Sequence, residues 1–244
     1  MADSLRSVAR RGADGLARWR GELVPPRSLL ARTSSPSKSE FTSAGTTILK
    51  CCQLGALRPD DRFLDIGSGV GRAAIPLIPY LSPAGRYTGV DFWPEGVNWC
   101  TKMITPRHPN FQFLHLDLTH EDFNPRGGTP IETACLPFDD DVFDFAMVGA
   151  INHLTGPELA AFVGQAGRVL RSGGTYVGTW FLVDEANRDV LPGPAATVAT
   201  EELVMRRILH EASLELVALH PGSWRAGGGA LTYQDVVIAR KVRA

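Results

Sequence analysis

The sequence predicts an α/β fold: a doubly wound, seven-stranded, mostly parallel sheet with an antiparallel C-terminal strand and helices on both faces. Three observations carry this. From Phe63 onward, short apolar runs of strand type alternate with helix-like segments, which implies a parallel sheet covered on both sides. The first run, Phe63-Leu64-Asp65-Ile66, passes straight into Gly67-Ser68-Gly69-Val70-Gly71. Alternating glycines there allow a sharp turn and bring backbone N–H groups close to a ligand. Near the end the pattern changes to two strand-like runs separated by Gly227-Gly228-Gly229, an antiparallel ending.

Taken in order, Ser39 is placed to cap a helix running to Leu54 and closed by Gly55. The first strand follows at Phe63, and a helix is expected over 73–80. A second strand is expected over 85–91, ending in Asp91, and a third over 111–118. Leu136-Pro137-Phe138 and the acids Asp139, Asp140 and Asp141 lead into a fourth, over 143–150. A helix over 156–170 carries Pro157 in its first turn and stops before Gly173-Gly174. The fifth strand then spans 175–183. After a loop with Pro192 and Pro194, a helix is expected over 201–212, then strands over 214–220 and 231–240.

The chain has 244 residues and is 44% hydrophobic, enough for one domain or at most two. Residues 1–38 hold eight Lys/Arg against three Asp/Glu, whereas 39–244 hold seventeen against twenty-three. We therefore divide the chain into a basic extension or lid, 1–38, and a main domain, 39–244. Pro25-Pro26 and Thr33-Ser34-Ser35-Pro36 interrupt any long helix in the extension, which is expected to be partly helical and to fold over the domain. An acidic main domain lacks the basic groove of a nucleic-acid binder. No apolar run approaches the roughly 20 residues of a membrane span, and 1–20 lack a secretory apolar core. Cys51, Cys52, Cys100 and Cys135 show no metal spacing, so inert thiols in a reducing cytoplasm are expected.

Chemistry narrows at the glycine turn. A dinucleotide-binding G-x-G-x-x-G would need glycine at 72, where this chain has Arg72. Asp65, just before the turn, repels a pyrophosphate and welcomes an ammonium group. Asp91 lies 20 residues beyond Gly71, the distance at which nucleotide-type folds place an acid for ribose hydroxyls.

The stretch Asp65-Ile66-Gly67-Ser68-Gly69-Val70-Gly71 resembles the first motif of class I S-adenosylmethionine (SAM)-dependent methyltransferases. Leu136-Pro137-Phe138 ahead of Phe143-Asp144, and Arg168-Val169-Leu170-Arg171-Ser172-Gly173-Gly174, are similar to later motifs of that family. The resemblance covers about 39–183 and implies a seven-stranded sheet with SAM as cofactor and S-adenosylhomocysteine (SAH) as product. It implies cofactor-binding roles for Asp65, Gly67, Ser68, Gly69, Asp91 and Gly149. Phe92 would pack on the adenine. Asp117 would take the adenine amino group and the Leu118 N–H a ring nitrogen. His153 in Ile151-Asn152-His153-Leu154, just past strand four, is the candidate general base for O-methylation, with His220 in reserve.

Trp180, Trp224 and Asp184 are candidates for the acceptor side. His115, Asp117 and His120, or the acidic run 139–141, would be needed for a divalent metal, which is not favoured. The expected acceptor is a small or oligomeric hydroxylated metabolite, a sugar or glycoside first, with a homodimer left open. The alternatives are a silent SAM-binding module, an N- or C-methyltransferase of a natural product, and a nicotinamide dehydrogenase, against which Asp65 and Arg72 argue.

Overall fold

The computed structural model describes residues 23–149, 154–184, 199–225 and 230–242. A seven-stranded sheet forms its centre. The strands are β1 (Arg62–Ile66), β2 (Arg86–Asp91), β3 (Phe111–His115), β4 (Phe143–Val148), β5 (Leu170–Trp180), β6 (Leu214–His220) and β7 (Asp235–Lys241). Their spatial order is β6-β7-β5-β4-β1-β2-β3. All neighbours pair in parallel except β7, which runs antiparallel to both β5 and β6. From β1 the chain winds one way to β2 and β3, then crosses back to β4 and β5. The carboxyl ends of β1 and β4 therefore flank the switch point, where this class of sheet opens a crevice.

The helices are α1 (Arg27–Leu30), α2 (Lys38–Leu54), α3 (Ala74–Leu77), α4 (Pro94–Met103), α5 (Gly156–Val169) and α6 (Glu202–Glu211). Parallel strands covered on both faces read as near-continuous apolar runs, and residues 63–66 are all buried. On one face, Phe145, Phe63, Tyr87 and Phe111 sit in register on four adjacent strands, their neighbouring ring centroids 5.0–5.6 Å apart and nearly parallel. Such pairs add roughly 0.5–1.5 kcal/mol each beyond area burial. The α2 residues Phe41, Leu49 and Cys52 pack in the same core. On the other face Leu64, Ile66, Ala146 and Val148 meet Leu159, Phe162 and Val163 of α5 and Met205 and Leu209 of α6.

Several boundaries differ from expectation. The cap of α2 is Ser37, not Ser39, because Ser37 and Glu40 form a reciprocal capping box: the Glu40 N–H donates to Ser37 Oγ and the Ser37 N–H to Glu40 Oε2. The helix over 73–80 shrinks to α3, since Pro76 and Pro79 supply no N–H to an i→i−4 ladder. Strand three stops at His115. Leu116 N–H still bonds Asp91 O at 2.9 Å, but Leu118 N–H turns back to Leu116 O at 2.8 Å. Leu118–Thr119 then pairs with Thr129–Pro130 in a separate two-residue ladder.

In β5, Leu170 pairs with Phe143, residues 171–174 loop out around Gly173 (φ +72°), and regular pairing resumes at Thr175. The last strand begins at Asp235, not 231, because the carbonyls of Thr232 and Tyr233 accept from the Ser223 and Trp224 N–H groups instead of a strand partner. The described part of the N-terminal extension packs on the domain, with Leu23 and Leu30 buried in the core that holds Phe41.

Candidate functional site

A cleft enclosing about 1100 Å³, its open mouth included, lies at the carboxyl ends of β1, β2 and β4. Its floor is the glycine turn. Gly67 (φ +88°) and Gly69 (φ +52°) occupy left-handed backbone that side chains avoid. A Cβ on Gly67 would stand 2.6 Å from the Gly149 carbonyl oxygen, so the two glycines let the ends of β1 and β4 touch. A Cβ on Gly69 would meet nothing within 4 Å, so the turn's outer surface is open. Gly89 of β2 leaves room beneath it: a Cβ there would sit 2.8 Å from the Ser68 Cβ.

Two buried carboxylates stand beside the turn. Asp91 Oδ2 accepts from the Gly69 N–H and Oδ1 from the Trp93 N–H, both at 2.7 Å, tying the turn to the start of α4. Burial pushes its carboxyl up to about 6, against the pull of those two N–H donors. Asp65 accepts from the Tyr87 hydroxyl. Burial pushes Asp65 up to about 7; the Tyr87 hydrogen bond and Arg72 oppose this, while Asp91 adds to it. Two acids held this way favour a cationic or hydrogen-donating ligand that stabilises their charged forms. Ser68 Oγ, also at the turn, is buried without a hydrogen-bond partner among the described residues.

The walls are largely apolar and aromatic. Phe41 and Ile48 come from α2, Met147 from β4, and Leu154 and Phe162 from the start and body of α5. The far wall holds Phe92, Trp93, His120 and Phe123. Phe92 stacks on the His120 ring, centroids 4.8 Å apart and planes within 10°. Arg32, Thr33 and Ser34 of the N-terminal segment complete the lining.

Of the residues singled out in the sequence, Asp65, Gly67, Ser68, Gly69, Asp91, Phe92 and Gly149 all line this one cleft. Asp117 and Leu118 do not. Asp117 is exposed, and the Leu118 N–H already serves the tight turn onto Leu116 O, so Leu116 and His120 hold that part of the wall instead. His153 lies outside the described residues. His220 pairs with Val236 in the sheet, away from the cleft lining.

Trp180 and Trp224 are core residues and do not line the cleft. Trp180 is 1% exposed, and Trp224 donates its indole N–H to Asp235. Asp184 is paired with Arg225 at 3.1 Å. No group of three or more His, Cys, Asp or Glu side chains gathers among the described residues, and His115, Asp117 and His120 form none. Sequence reasoning missed Arg32, Ser34, Phe41, Trp93 and Phe123, and weighed His120 only as a metal ligand. No motif marks them; they come together only because the segments at 32–34 and 116–123 fold against α4.

The glycine turn, its two acids and the sheet's switch point agree with what the chain resembles. Residues 64–178 match the family model described as a methyltransferase domain. The sheet and the helices around it have the class I, SAM-dependent methyltransferase fold. Among solved structures, a SAM-dependent methyltransferase from Aquifex aeolicus is 19% identical, with a TM-score of 0.61, covering 90% of this chain and 100% of that one. The [4+2]-cyclase SpnF is 17% identical, with a TM-score of 0.61 and 82% of each chain covered. The CurJ carbon methyltransferase is 16% identical, with a TM-score of 0.58, covering 88% of this chain and 58% of that one. These likenesses concern the fold, on which several reactions are built.

The cleft suits SAM, the cofactor that the resemblance implies. The unpartnered Ser68 hydroxyl, the open surface at Gly69 and two buried acids match a molecule bearing an ammonium group and a ribose diol. Leu116 and Phe92 offer apolar surface to a flat ring.

Proposed function

We propose that the chain moves a methyl group from SAM to a hydroxyl of a small or oligomeric metabolite, a sugar or glycoside being the leading class. One observation carries the reading: a single cleft joins the polar end, with Asp65, Ser68 and Asp91, to an apolar end walled by Phe41, Ile48, Met147 and Phe162. Bound SAM supplies an activated methyl on a sulfonium, and the protein's own part is holding and aligning. In this assignment Asp65 and Asp91 hold the ammonium and ribose hydroxyls, and the glycine turn fixes their position. The apolar walls exclude water and seat the carbon face of the acceptor, such as the C–H face of a sugar ring. Alignment of two reactants contributes about 7–11 kcal/mol in favourable cases.

A hydroxyl acceptor also needs its proton removed. His153 is our assignment for that role, because Gly149 and Leu154, on either side of it in the chain, both line the cleft. A neutral imidazole at pH 7 has the right basicity, and a positioned base contributes about 10²–10⁴-fold. The test is methyl transfer from labelled SAM to a panel of sugars, glycosides and phenols, with His153→Ala alongside. We expect transfer to a hydroxylated member, and a fall in turnover of about 10²-fold or more in the variant with SAH affinity retained. Unchanged turnover removes His153 from the mechanism.

A cofactor-binding scaffold without transfer is the second reading, since a cyclase shares this fold. SAH binding with no transfer to any acceptor would favour it.

A further inference from the structure

The N-terminal segment at 32–35 crosses the cleft between two walls that no strand connects. At one end, Arg32 lies over the aromatic wall. Its guanidinium carbon is 5.0 Å from the Trp93 ring centroid and 5.2 Å from that of Phe123. Arg32 Nη2 donates to Asp122 O at 2.7 Å, and Nη1 is 3.9 Å from Glu95 Oε2. One side chain thus spans α4 and the loop after β3. At the other end, Arg72, the residue after the glycine turn, donates through Nη1 to Ser34 Oγ at 2.8 Å and Ser35 Oγ at 3.3 Å.

Between these contacts the strap is shaped by its own bonds. Thr33 Oγ1 donates to Leu30 O at 2.8 Å and accepts the Ser35 N–H at 3.1 Å. It is also fixed at both ends, by buried Leu30 before it and the Ser37 cap of α2 after it.

We propose that residues 32–35 form a gate on the cofactor cleft, latched by Arg32 on Trp93 and Phe123 and by Arg72 on Ser34 and Ser35. The inference rests on the cofactor reading of the cleft. The Arg32 latch lies at partly exposed positions, with the Arg32 and Glu95 side chains 39% and 59% exposed, so it is weak and separable, whereas the Arg72 latch reaches from exposed Ser34 to Ser35, which is 5% exposed. The anchors are not: Leu23 and Leu30 are 6% and 4% exposed and stay in the core. A weak latch at one end and hydrogen bonds from one arginine at the other, between firm anchors, make a segment that opens locally without unfolding the domain. Opening uncovers the glycine turn and the aromatic wall together, so release of SAH is limited by the latches as well as by its own contacts.

Gating has a kinetic signature that a binding contact lacks. A latch that only blocks passage slows entry and exit alike, whereas a residue that grips the ligand slows exit alone. The experiment is stopped-flow tryptophan fluorescence of SAH association and dissociation, since Trp93 lines the cleft. It uses the wild type, Arg32→Ala and the double variant Ser34→Ala/Ser35→Ala, each checked by thermal melt.

We expect both rate constants to rise together, by roughly five- to tenfold in each variant, with Kd changed by less than about threefold. Unchanged rates in both variants, with wild-type binding intact, overturn the gate alone. Faster dissociation with unchanged association also overturns it and makes these residues ligand contacts. No SAH binding by the folded wild type overturns the cofactor reading, and the gate with it.

Discussion

Asp65 and Asp91 set the cleft's electrostatics, and their burial makes its chemistry depend on pH. Burial raises both carboxyls, to about 7 and about 6. A carboxyl raised in the folded state favours folding at low pH, and that contribution is lost as pH rises through its folded value. In the free protein these two groups therefore cost stability as pH climbs from about 4, the ordinary carboxylate value, up to about 6 to 7, and no further above that. A cationic ligand reverses the sense, because it binds the ionised forms. SAH affinity should strengthen by on the order of tenfold between pH 5.5 and 8, while the melting temperature of the free protein loses these groups' contribution. Calorimetry and thermal melts across that range check both, and Asp65→Asn should remove the upper step. An affinity flat with pH in the wild type would mean that neither acid meets the ligand's charge. These acids were legible in the sequence because each ends an apolar run at a diagnostic distance from the glycines. His120, stacked on Phe92, was not: its place follows from how 116–123 turns back after β3.

Among the elements, the closing pair β6 and β7 is held by a buried acid that the cleft does not use. Asp235 is fully buried and accepts five hydrogen bonds: from Leu182 N–H, Gly222 N–H, Trp224 Nε1, and Arg225 Nε and Nη2. It joins the end of β5, the turn after β6 and the start of β7. Removing it strands those donors and leaves Arg225 paired with Asp184 alone. Asp235→Ala should destabilise by roughly 3–5 kcal/mol, read from urea unfolding, because the partner charge is left buried. A loss under about 1 kcal/mol would mean that water replaces the carboxylate and the network holds nothing together. This network explains why the last strand starts at 235 rather than 231. Residues 231–234 look strand-like in composition, but their carbonyls are committed to the Ser223–Arg225 turn. Local pattern saw the apolar run and could not see the acid that ends it. The same limit applies at α3, where Pro76 and Pro79, three residues apart in the wider expected helix, would have been the signal to shorten it.

Across the whole molecule, the mostly parallel sheet, its antiparallel seventh strand and the glycine turn that floors the cleft follow from alternation and from the run of glycines after β1. Both are local features, repeated along the chain, and they were readable without coordinates. The far wall and the strap depend on contacts between residues 32–35, 72, 93 and 116–123, which are distant in sequence and carry no periodic signal. In the proposed function this cleft holds SAM, and Asp91 helps to hold it. The direct test is calorimetric titration of SAH into the wild type and Asp91→Ala, with melts to confirm that both are folded. One-to-one binding that weakens by on the order of 10- to 100-fold in the variant is the predicted result, the loss of a charge-assisted hydrogen bond. A folded wild type that takes up no SAH, or a variant that binds equally well, would contradict it.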